Sequence, residues 1–246
     1  MTMRTTWLLL FGFLLLACDP QPGFDITRIH IVTSDVEELS GWYQKNFGFK
    51  VVEEDHLTYK GLNLYLEENS KAVHRDTLKG LHNVNNVPGF YKLGFLTNQF
   101  DNLVEQLKGN GVQFVGSVVY DERLEKRMLV IKDPDGNRLQ LFEDNGKHKL
   151  KPYLISIIVE GIGEQEKWYQ MKLPVLETIN LDLPEGTAYI RVLRGKDFLI
   201  ELIKVDDTLI RSQLDYDQIF GFHTIEIAGA NATLEGDHEQ NNLINP

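Results

Sequence analysis

Few residues of this sequence have types and spacing that could support chemistry. Cys18 is the only cysteine, which excludes an intramolecular disulfide and a CxxC metal or redox site. The sequence contains neither a Gly-x-Ser-x-Gly elbow nor a glycine-rich phosphate loop. The segment Asp133-Pro134-Asp135-Gly136-Asn137 has residue types of a calcium loop, but its glycine is fourth instead of sixth and position twelve is Asp144 instead of glutamate. We therefore interpret this segment as a tight hairpin turn.

The sequence around Cys18 is typical of an exported protein. An unbroken apolar run over residues 7–17 follows Arg4 and ends at this cysteine. The run is shorter than the about 20 apolar residues that a membrane-spanning helix needs, and it fits the apolar region of a secretory signal. It resembles a bacterial lipoprotein signal, so we expect Cys18 to be lipidated and to anchor the protein to a membrane of the bacterial cell envelope, at the periplasmic face or the cell surface. The alternatives are an ordinary cleaved signal with a chance cysteine, or a short buried helix.

Composition limits the size of the protein core and the kind of partner. With 246 residues, of which 42% are hydrophobic, the chain is long enough for one large domain or two small ones. The formal net charge of −11 disfavours nucleic acid as a partner, because phosphate backbones are bound by clustered Lys and Arg. We therefore expect a globular protein that does not bind nucleic acid.

The sequence contains a repeated unit. The pair Trp42-Tyr43 recurs as Trp168-Tyr169, a spacing of 168 − 42 = 126 residues. Each pair closes an amphipathic stretch that follows an alternating apolar segment, and β-branched and aromatic runs come after it. This pattern predicts a strand, a helix and then two or three strands. A second version of the unit lies between the two copies, and a fourth begins near Phe222. The second unit is predicted to contain a strand over 91–96, a helix over 100–108 and strands over 113–119, 126–131 and 138–143.

These features resemble the vicinal oxygen chelate superfamily, which includes glyoxalase I, bleomycin-resistance proteins, methylmalonyl-CoA epimerase and extradiol dioxygenases. The resemblance rests on the repeated unit, on Trp42-Tyr43, on Phe47-Gly48-Phe49 after the first helix, and on the Asp133–Asn137 turn. It implies an α+β fold of paired βαβββ modules in two halves, the second incomplete. The expected division is a signal peptide over 1–17, a tether over 18–24, a first domain of two modules over 25–145, a second half with the third and a partial fourth module over 152–228, and a polar tail over 229–246.

The resemblance also indicates where a metal would be bound. In the metal-dependent members, His or Glu residues on the first and last strands of paired modules hold a divalent ion that polarises substrate oxygens. In this sequence these positions fall on Arg28 and Glu67 in the first module and on Lys92 and Gln140 in the second. Arginine has no lone pair for a metal, and lysine adds positive charge, so we expect no ordinary metal site. His30, on the same strand face as Arg28, could replace it only if the strand register slipped.

The same positions suggest a different kind of site. If Arg28 and Lys92 both face the cavity of the first domain, they would form a cationic pocket for a carboxylate or phosphate. His30, Glu67 and Gln140 are the further candidate ligand-binding residues. The alternative is that each cation neutralises a carboxylate, for instance Glu67, or extends to the surface.

The second half retains two ligand positions of the family. Glu201 matches the last strand of the third module and His223 the first strand of the fourth, whereas the third module's own first-strand position falls on Leu154. These two residues are candidates for a weak, solvent-open metal site. The alternative is a histidine packed at a strand end and a glutamate paired with a neighbouring arginine.

Three functional hypotheses follow. The one we favour is a membrane-anchored protein that binds a small molecule between modules without a metal or other cofactor. The second is a metal-dependent, glyoxalase-like lyase or isomerase, or a dioxygenase, and the third is a non-catalytic scaffold. An incomplete half leaves sheet edges exposed, so we also expect a homodimer.

Overall fold

The computed structural model describes residues 25–78, 87–182, 188–205, 218–229, 234, 236 and 242–244. Cys18, together with the rest of the predicted signal and tether, lies outside these residues. In the described part of the chain, no helix is both long and apolar enough to cross a membrane.

The first module has the predicted order of a strand, a helix and further strands. Its elements are β1 (Asp25–Thr33), α1 (Val36–Phe47), β2 (Lys50–Glu53), β3 (His56–Tyr59) and β4 (Leu62–Glu68), followed by a 3-10 helix over Arg75–Thr77. The start of α1 is fixed by Asp35, whose carboxylate accepts a hydrogen bond from the Glu38 N–H at 2.8 Å. The helix ends at Gly48, which adopts the left-handed conformation with φ of 73°.

The second module follows the same plan with one difference from the prediction. Its elements are β5 (Gly89–Thr97), α2 (Phe100–Gly109), β6 (Gln113–Phe114), β7 (Val119–Asp121), β8 (Lys126–Lys132) and β9 (Arg138–Glu143). The single strand predicted over 113–119 is wrong, because Gly116 with φ of 102° interrupts it. The two short strands that result, β6 and β7, both pair with β8. The predicted turn connects β8 to β9 and is closed by a hydrogen bond of 3.0 Å from the Gly136 N–H to the Asp133 carbonyl.

The remaining modules contain a strand that sequence reasoning missed. The third module comprises β10 (Lys151–Ile158), α3 (Ile162–Lys172), β11 (Glu177–Asp182), β12 (Ala188–Arg194) and β13 (Leu199–Val205), and the fourth comprises β14 (Gly221–Ala228) and β15 (Asn242–Ile244). The sequence predicts a polar tail over 229–246 that is too short for three further strands, but one short strand, β15, lies there and pairs in parallel with β14. Since β4, β9 and β13 each pair in parallel with the first strand of their module, β15 takes the place of a last strand.

Each sheet combines modules that are not consecutive in the sequence. The six-stranded sheet has the order β15-β14-β1-β4-β3-β2. The nine-stranded sheet has the order β11-β12-β13-β10-β5-β9-β8-β6, with β7 also paired to β8. In their centres the first strands pair antiparallel, β1 with β14 and β5 with β10. The first module therefore shares a sheet with the fourth and the second with the third, so the sheets do not follow the expected halves 25–145 and 152–228.

One apolar core joins the two sheets, and a buried tyrosine crosses it. Tyr43, from the repeated Trp-Tyr pair, is fully buried, and its hydroxyl donates to the Asp133 carboxylate at 3.3 Å. The backbone and side-chain N–H groups of Asn137 donate to the same carboxylate, each at 2.8 Å. Burial nevertheless raises the pKa of Asp133 to about 7.

The turn between β8 and β9 also holds the first module through a second carboxylate. Asp135 accepts hydrogen bonds from the hydroxyls of Thr33, at 2.5 Å, and Ser34, at 2.8 Å. Both hydroxyls belong to the end of β1 and the residue after it. The turn that the sequence marks as a hairpin is therefore also the joint between the first two modules.

Candidate functional site

Strand alternation gives the six-stranded sheet one side toward the core and one side away from it. On β1, Ile29 and Ile31 belong to the core, whereas Arg28 and His30 point to the opposite side. We call that opposite side the first face. The corresponding side of the nine-stranded sheet, opposite core residues such as Leu93 of β5, is called the second face.

The two candidate cations lie on different faces. Arg28 is on β1 and lies on the first face, whereas Lys92 is on β5 and lies on the second face. The expectation that they share one pocket is therefore wrong, because the first and second modules do not share a sheet. Each cation has a carboxylate partner instead, which is the alternative that the sequence left open.

On the first face, Arg28 is only partly neutralised. Its Nη1 lies 2.9 Å from Oε2 of Glu226, which stands opposite it on β14 and is buried. The Arg28 side chain is 43% exposed, and its guanidinium carbon lies 5.2 Å from the centre of the Tyr65 ring. The Arg28 Nε is buried and has no hydrogen-bond partner among the described residues. Among the described residues the guanidinium is thus paired with one carboxylate, and much of the side chain stays exposed on the first face.

A row of rings lies beside this arginine. His30 stacks on Tyr65 with ring centres 5.2 Å apart, and Tyr65 stacks on His56 at 4.4 Å. The His30 Nδ1 lies 2.7 Å from Oε1 of Glu67, and both side chains remain partly exposed. The first face therefore presents a cation, a carboxylate and ring nitrogens to solvent. Arg28, His30 and Glu67, three of the predicted ligand-binding residues, are neighbours here.

The second face holds an ion pair that is largely but not fully buried. The Lys92 Nζ lies 2.8 Å from Oε2 of Glu201, and each side chain is only 13% exposed. The Ser156 hydroxyl donates to the same carboxylate oxygen. Gln140 is buried, and its Nε2 lies 2.9 Å from the Met128 sulfur. Lys92 and Gln140 thus lie on the same face, as predicted for the second module, but Lys92 is committed to Glu201.

Apolar side chains fill much of the second face. The cluster on it consists of Leu96, Phe142, Tyr153, Leu154, Val192 and Leu199. The packing is tight at Gly94, where an added Cβ would lie 2.5 Å from the Leu154 Cβ and 2.9 Å from a Phe142 ring carbon. The second face is therefore a packed surface, in contrast to the open first face.

The residues at the family's ligand positions do not fit a divalent metal. Arg28, Lys92 and Leu154 carry no donor for a cation, and Gln140 offers only a neutral amide oxygen. In the described part of the chain, no three His, Cys, Asp or Glu residues are grouped so that they could hold a metal ion. The residues at these positions would therefore not retain a divalent ion.

The candidate pair Glu201 and His223 is also separated. Glu201 lies on β13 in the nine-stranded sheet, whereas His223 lies on β14 in the six-stranded sheet. The strand register is irregular at His223, so that Thr224 instead stands opposite His30. The Thr224 hydroxyl lies 2.9 Å from the His223 Nδ1. The structure therefore does not assemble these two residues into one site.

Three residues of these faces were not predicted from the sequence. Ser156 could have been found through the repeat, because 30 + 126 = 156 places it where His30 stands in the first module. Tyr65 shares a strand face with Glu67 and could have been found by alternation along β4. Glu226 gave no usable signal, because its role depends on the pairing of the first and fourth modules.

The paired modules define a mixed α+β fold of the glyoxalase type. Residues 25–141 match the family model of the Glyoxalase/Bleomycin resistance protein/Dioxygenase superfamily. Glyoxalase I from Zea mays is similar in structure, with a TM-score of 0.60 at 15% identity over 86% of this chain and 76% of that chain. A Bacillus subtilis protein described as a proposed dioxygenase has a TM-score of 0.54 at 12% identity, over 82% of this chain and 69% of that chain. None of the curated protein sequences compared with this chain matches it. At these identities the likeness shows the fold alone, and it confirms the fold that the sequence predicted.

Proposed function

We propose that the whole chain is a membrane-anchored member of the vicinal oxygen chelate superfamily that binds a small molecule on the first face without a metal. The observation that supports this proposal is the contrast between the two faces. Arg28, His30 and Glu67 are partly exposed on the first face, whereas the second face is packed by apolar side chains and the buried pair of Lys92 and Glu201.

The groups of the first face favour a ligand with both an acceptor and a donor. Glu226 occupies Nη1 of Arg28, and an anionic group such as a carboxylate would use the remaining donors of this guanidinium. Glu67 would accept a hydrogen bond from a hydroxyl or amine of the ligand. An apolar ring on the ligand would lie along the edges of the stacked Tyr65 and His30 rings. A 2-hydroxy acid with an aromatic substituent has this combination of groups.

The anchor is proposed from the sequence around Cys18. The segment 18–24 would span at most roughly 25 Å between a lipidated Cys18 and β1, which keeps the protein close to the membrane. Cys18→Ser should move the protein from the detergent phase to the aqueous phase in phase partitioning, and mass spectrometry of the parent should find acyl chains on Cys18. A parent protein found in the aqueous phase without acyl chains contradicts the anchor.

Ligand binding is tested by NMR titration with mandelate and, as its uncharged match, mandelamide. The Arg28→Met/Glu226→Gln variant removes the cation without leaving a buried carboxylate unpaired, and we expect it to weaken mandelate binding about tenfold. The Lys92→Met/Glu201→Gln variant makes the same two changes on the second face and should bind like the parent.

Two results contradict the proposal. One is the absence of saturable shifts with mandelate, or equal binding of mandelamide, because the Arg28 guanidinium should select the anion. The other is a stoichiometric divalent metal that survives dialysis, because the donor set described above should not retain one.

A further inference from the structure

A groove lies between α1 and α2, on the core side of the six-stranded sheet and away from the first face. We call it the helix groove. It is formed by the end of α1, by one side of α2 and by the connector before β10, and its volume is about 280 Å³. Lys45, Phe47, Leu103, Gln106, Lys149 and Leu150 are among its lining residues. This volume is near the lower end of the range for small-ligand pockets, about 300 to 1,000 Å³.

The floor of the helix groove is apolar and firmly packed. Phe47 and Leu150 are buried members of the core, and Leu103 packs against it. The Phe47 ring contacts the rings of Trp42 and Phe95, with centres 5.5 and 6.0 Å away. An apolar group placed in the groove would therefore meet a surface that needs no rearrangement.

Hydrogen bonds fix the walls of the helix groove. The Gln106 Nε2 on α2 donates to the backbone carbonyls of Lys45 and Asn46 at the end of α1, both at 3.3 Å. On the other side, the Thr97 hydroxyl donates to the Lys149 carbonyl at 2.6 Å. The first two bonds tie α2 to the end of α1, and the third ties the connector to the end of β5, directly before α2. The width of the groove is therefore set by the fold.

The rim of the helix groove is positively charged in an acidic protein. Lys45 and Lys149 are both exposed, and no carboxylate among the described residues lies within ion-pair distance of either. By contrast, Lys92, Lys108 and Lys132 each pair with a carboxylate. None of the residues that line the groove is acidic, although the chain has 36 Asp and Glu. Two available ammonium groups above an apolar floor are complementary to an amphipathic anion.

We propose that the helix groove binds a small amphipathic anion. Its carboxylate or phosphate contacts Lys45 and Lys149, and its apolar part lies on Phe47, Leu103 and Leu150. This site is separate from the first face, and it would be present whether or not the first face binds a ligand.

Calorimetric titration with octanoate tests the proposal, with 1-octanol as the uncharged match. The Lys45→Gln/Lys149→Gln variant should bind octanoate about tenfold more weakly than the parent. The control variant Lys50→Gln/Lys147→Gln loses the same charge from lysines that do not line the groove and should bind like the parent. Asn102→Trp, a substitution at an exposed position of the groove wall, should block binding while the parent's Tm is retained.

A second experiment, with lipid vesicles, distinguishes a lipid headgroup from a free anion as the ligand. The Cys18→Ser variant is mixed with vesicles of phosphatidylcholine alone or with phosphatidylglycerol, so that the proposed anchor does not contribute. Lysine-dependent binding to the anionic vesicles identifies a lipid headgroup, and lysine-dependent binding of octanoate alone identifies a free ligand. Equal binding of 1-octanol, equal binding by the double variant, or no binding in either arm overturns the proposal. The lysine comparison is therefore repeated in the Arg28→Met/Glu226→Gln background, where a carboxylate has no site on the first face. The same tenfold loss is expected there, so a failure here is separate from a failure at the first face.

Discussion

Removing one partner of the largely buried ion pair on the second face should destabilise the protein strongly. Lys92 and Glu201 are each 13% exposed and are 2.8 Å apart. Lys92→Met would leave the Glu201 carboxylate with only the Ser156 hydroxyl as its described partner. Loss of one partner of a buried pair costs about 3 to 5 kcal/mol. For a chain of this length, the lower figure corresponds to a fall in Tm of about 6 to 12 °C.

Urea unfolding of a double-mutant cycle measures this effect. The Lys92→Met/Glu201→Met variant removes both charges at similar volume, and its free energy of unfolding should lie within about 1 kcal/mol of the parent's. As a matched exposed pair, Lys108 and Glu105 lie 2.8 Å apart but are 56% and 72% exposed. Lys108→Met should therefore cost less than about 0.5 kcal/mol.

The result that refutes this reasoning is a Lys92→Met variant as stable as the parent. It would show that the Glu201 carboxylate does not need the cation.

Three further predictions concern backbone packing, pH and a helix end. Gly94→Ala should cost about 1 to 3 kcal/mol, because the new Cβ would lie 2.5 Å from the Leu154 Cβ. Gly41→Ala, in helix α1 with open space at that position, should instead stabilise the protein by about 0.5 to 1 kcal/mol. Chemical unfolding measures both free energies of unfolding, and equal effects contradict the packing argument. Burial raises the pKa of Asp133 from 3.8 to about 7, so its contribution to stability is full below about pH 4 and is lost as pH rises through about 7. Asp133→Asn should flatten the fall of Tm between about pH 4 and 7 in calorimetry, and an unchanged slope would show that another group titrates. Asp35→Ala removes the cap of α1 and should cost about 1 kcal/mol in urea unfolding, with a cost near zero arguing against the capping bond.

Local signals made much of the fold predictable. The capping carboxylate of Asp35 and the left-handed Gly48 define α1 from neighbouring residues alone, and the Trp-Tyr repeat locates the modules. The short strand β15 could not be predicted, because three residues in a polar stretch form a strand only next to the free edge of β14. The glycine at position 116 indicates an interruption, but the apolar residues around it favour one continuous strand over 113–119.

The candidate residues were predictable by face but not by partner. Alternation along β1 correctly places Arg28 and His30 on one side of the strand. The partner of Arg28 is Glu226, which is 226 − 28 = 198 residues away. No local pattern specifies that the first module pairs with the fourth, because this choice depends on the packing of the whole chain. The predicted pocket of Arg28 and Lys92 requires that the first and second modules pair, and in the structure they do not.

The pairing of modules also implies an order of assembly. All strands of the nine-stranded sheet lie between Gly89 and Val205, so this sheet can form before β14 is synthesised. The six-stranded sheet requires β1 from one side of that segment and β14 from the other. Until Gly221–Ala228 is available, β1 keeps an unpaired edge, which favours slow closure and binding by chaperones. Nascent chains stopped after Val205 should therefore already protect the nine-stranded sheet from proteolysis while β1 remains accessible.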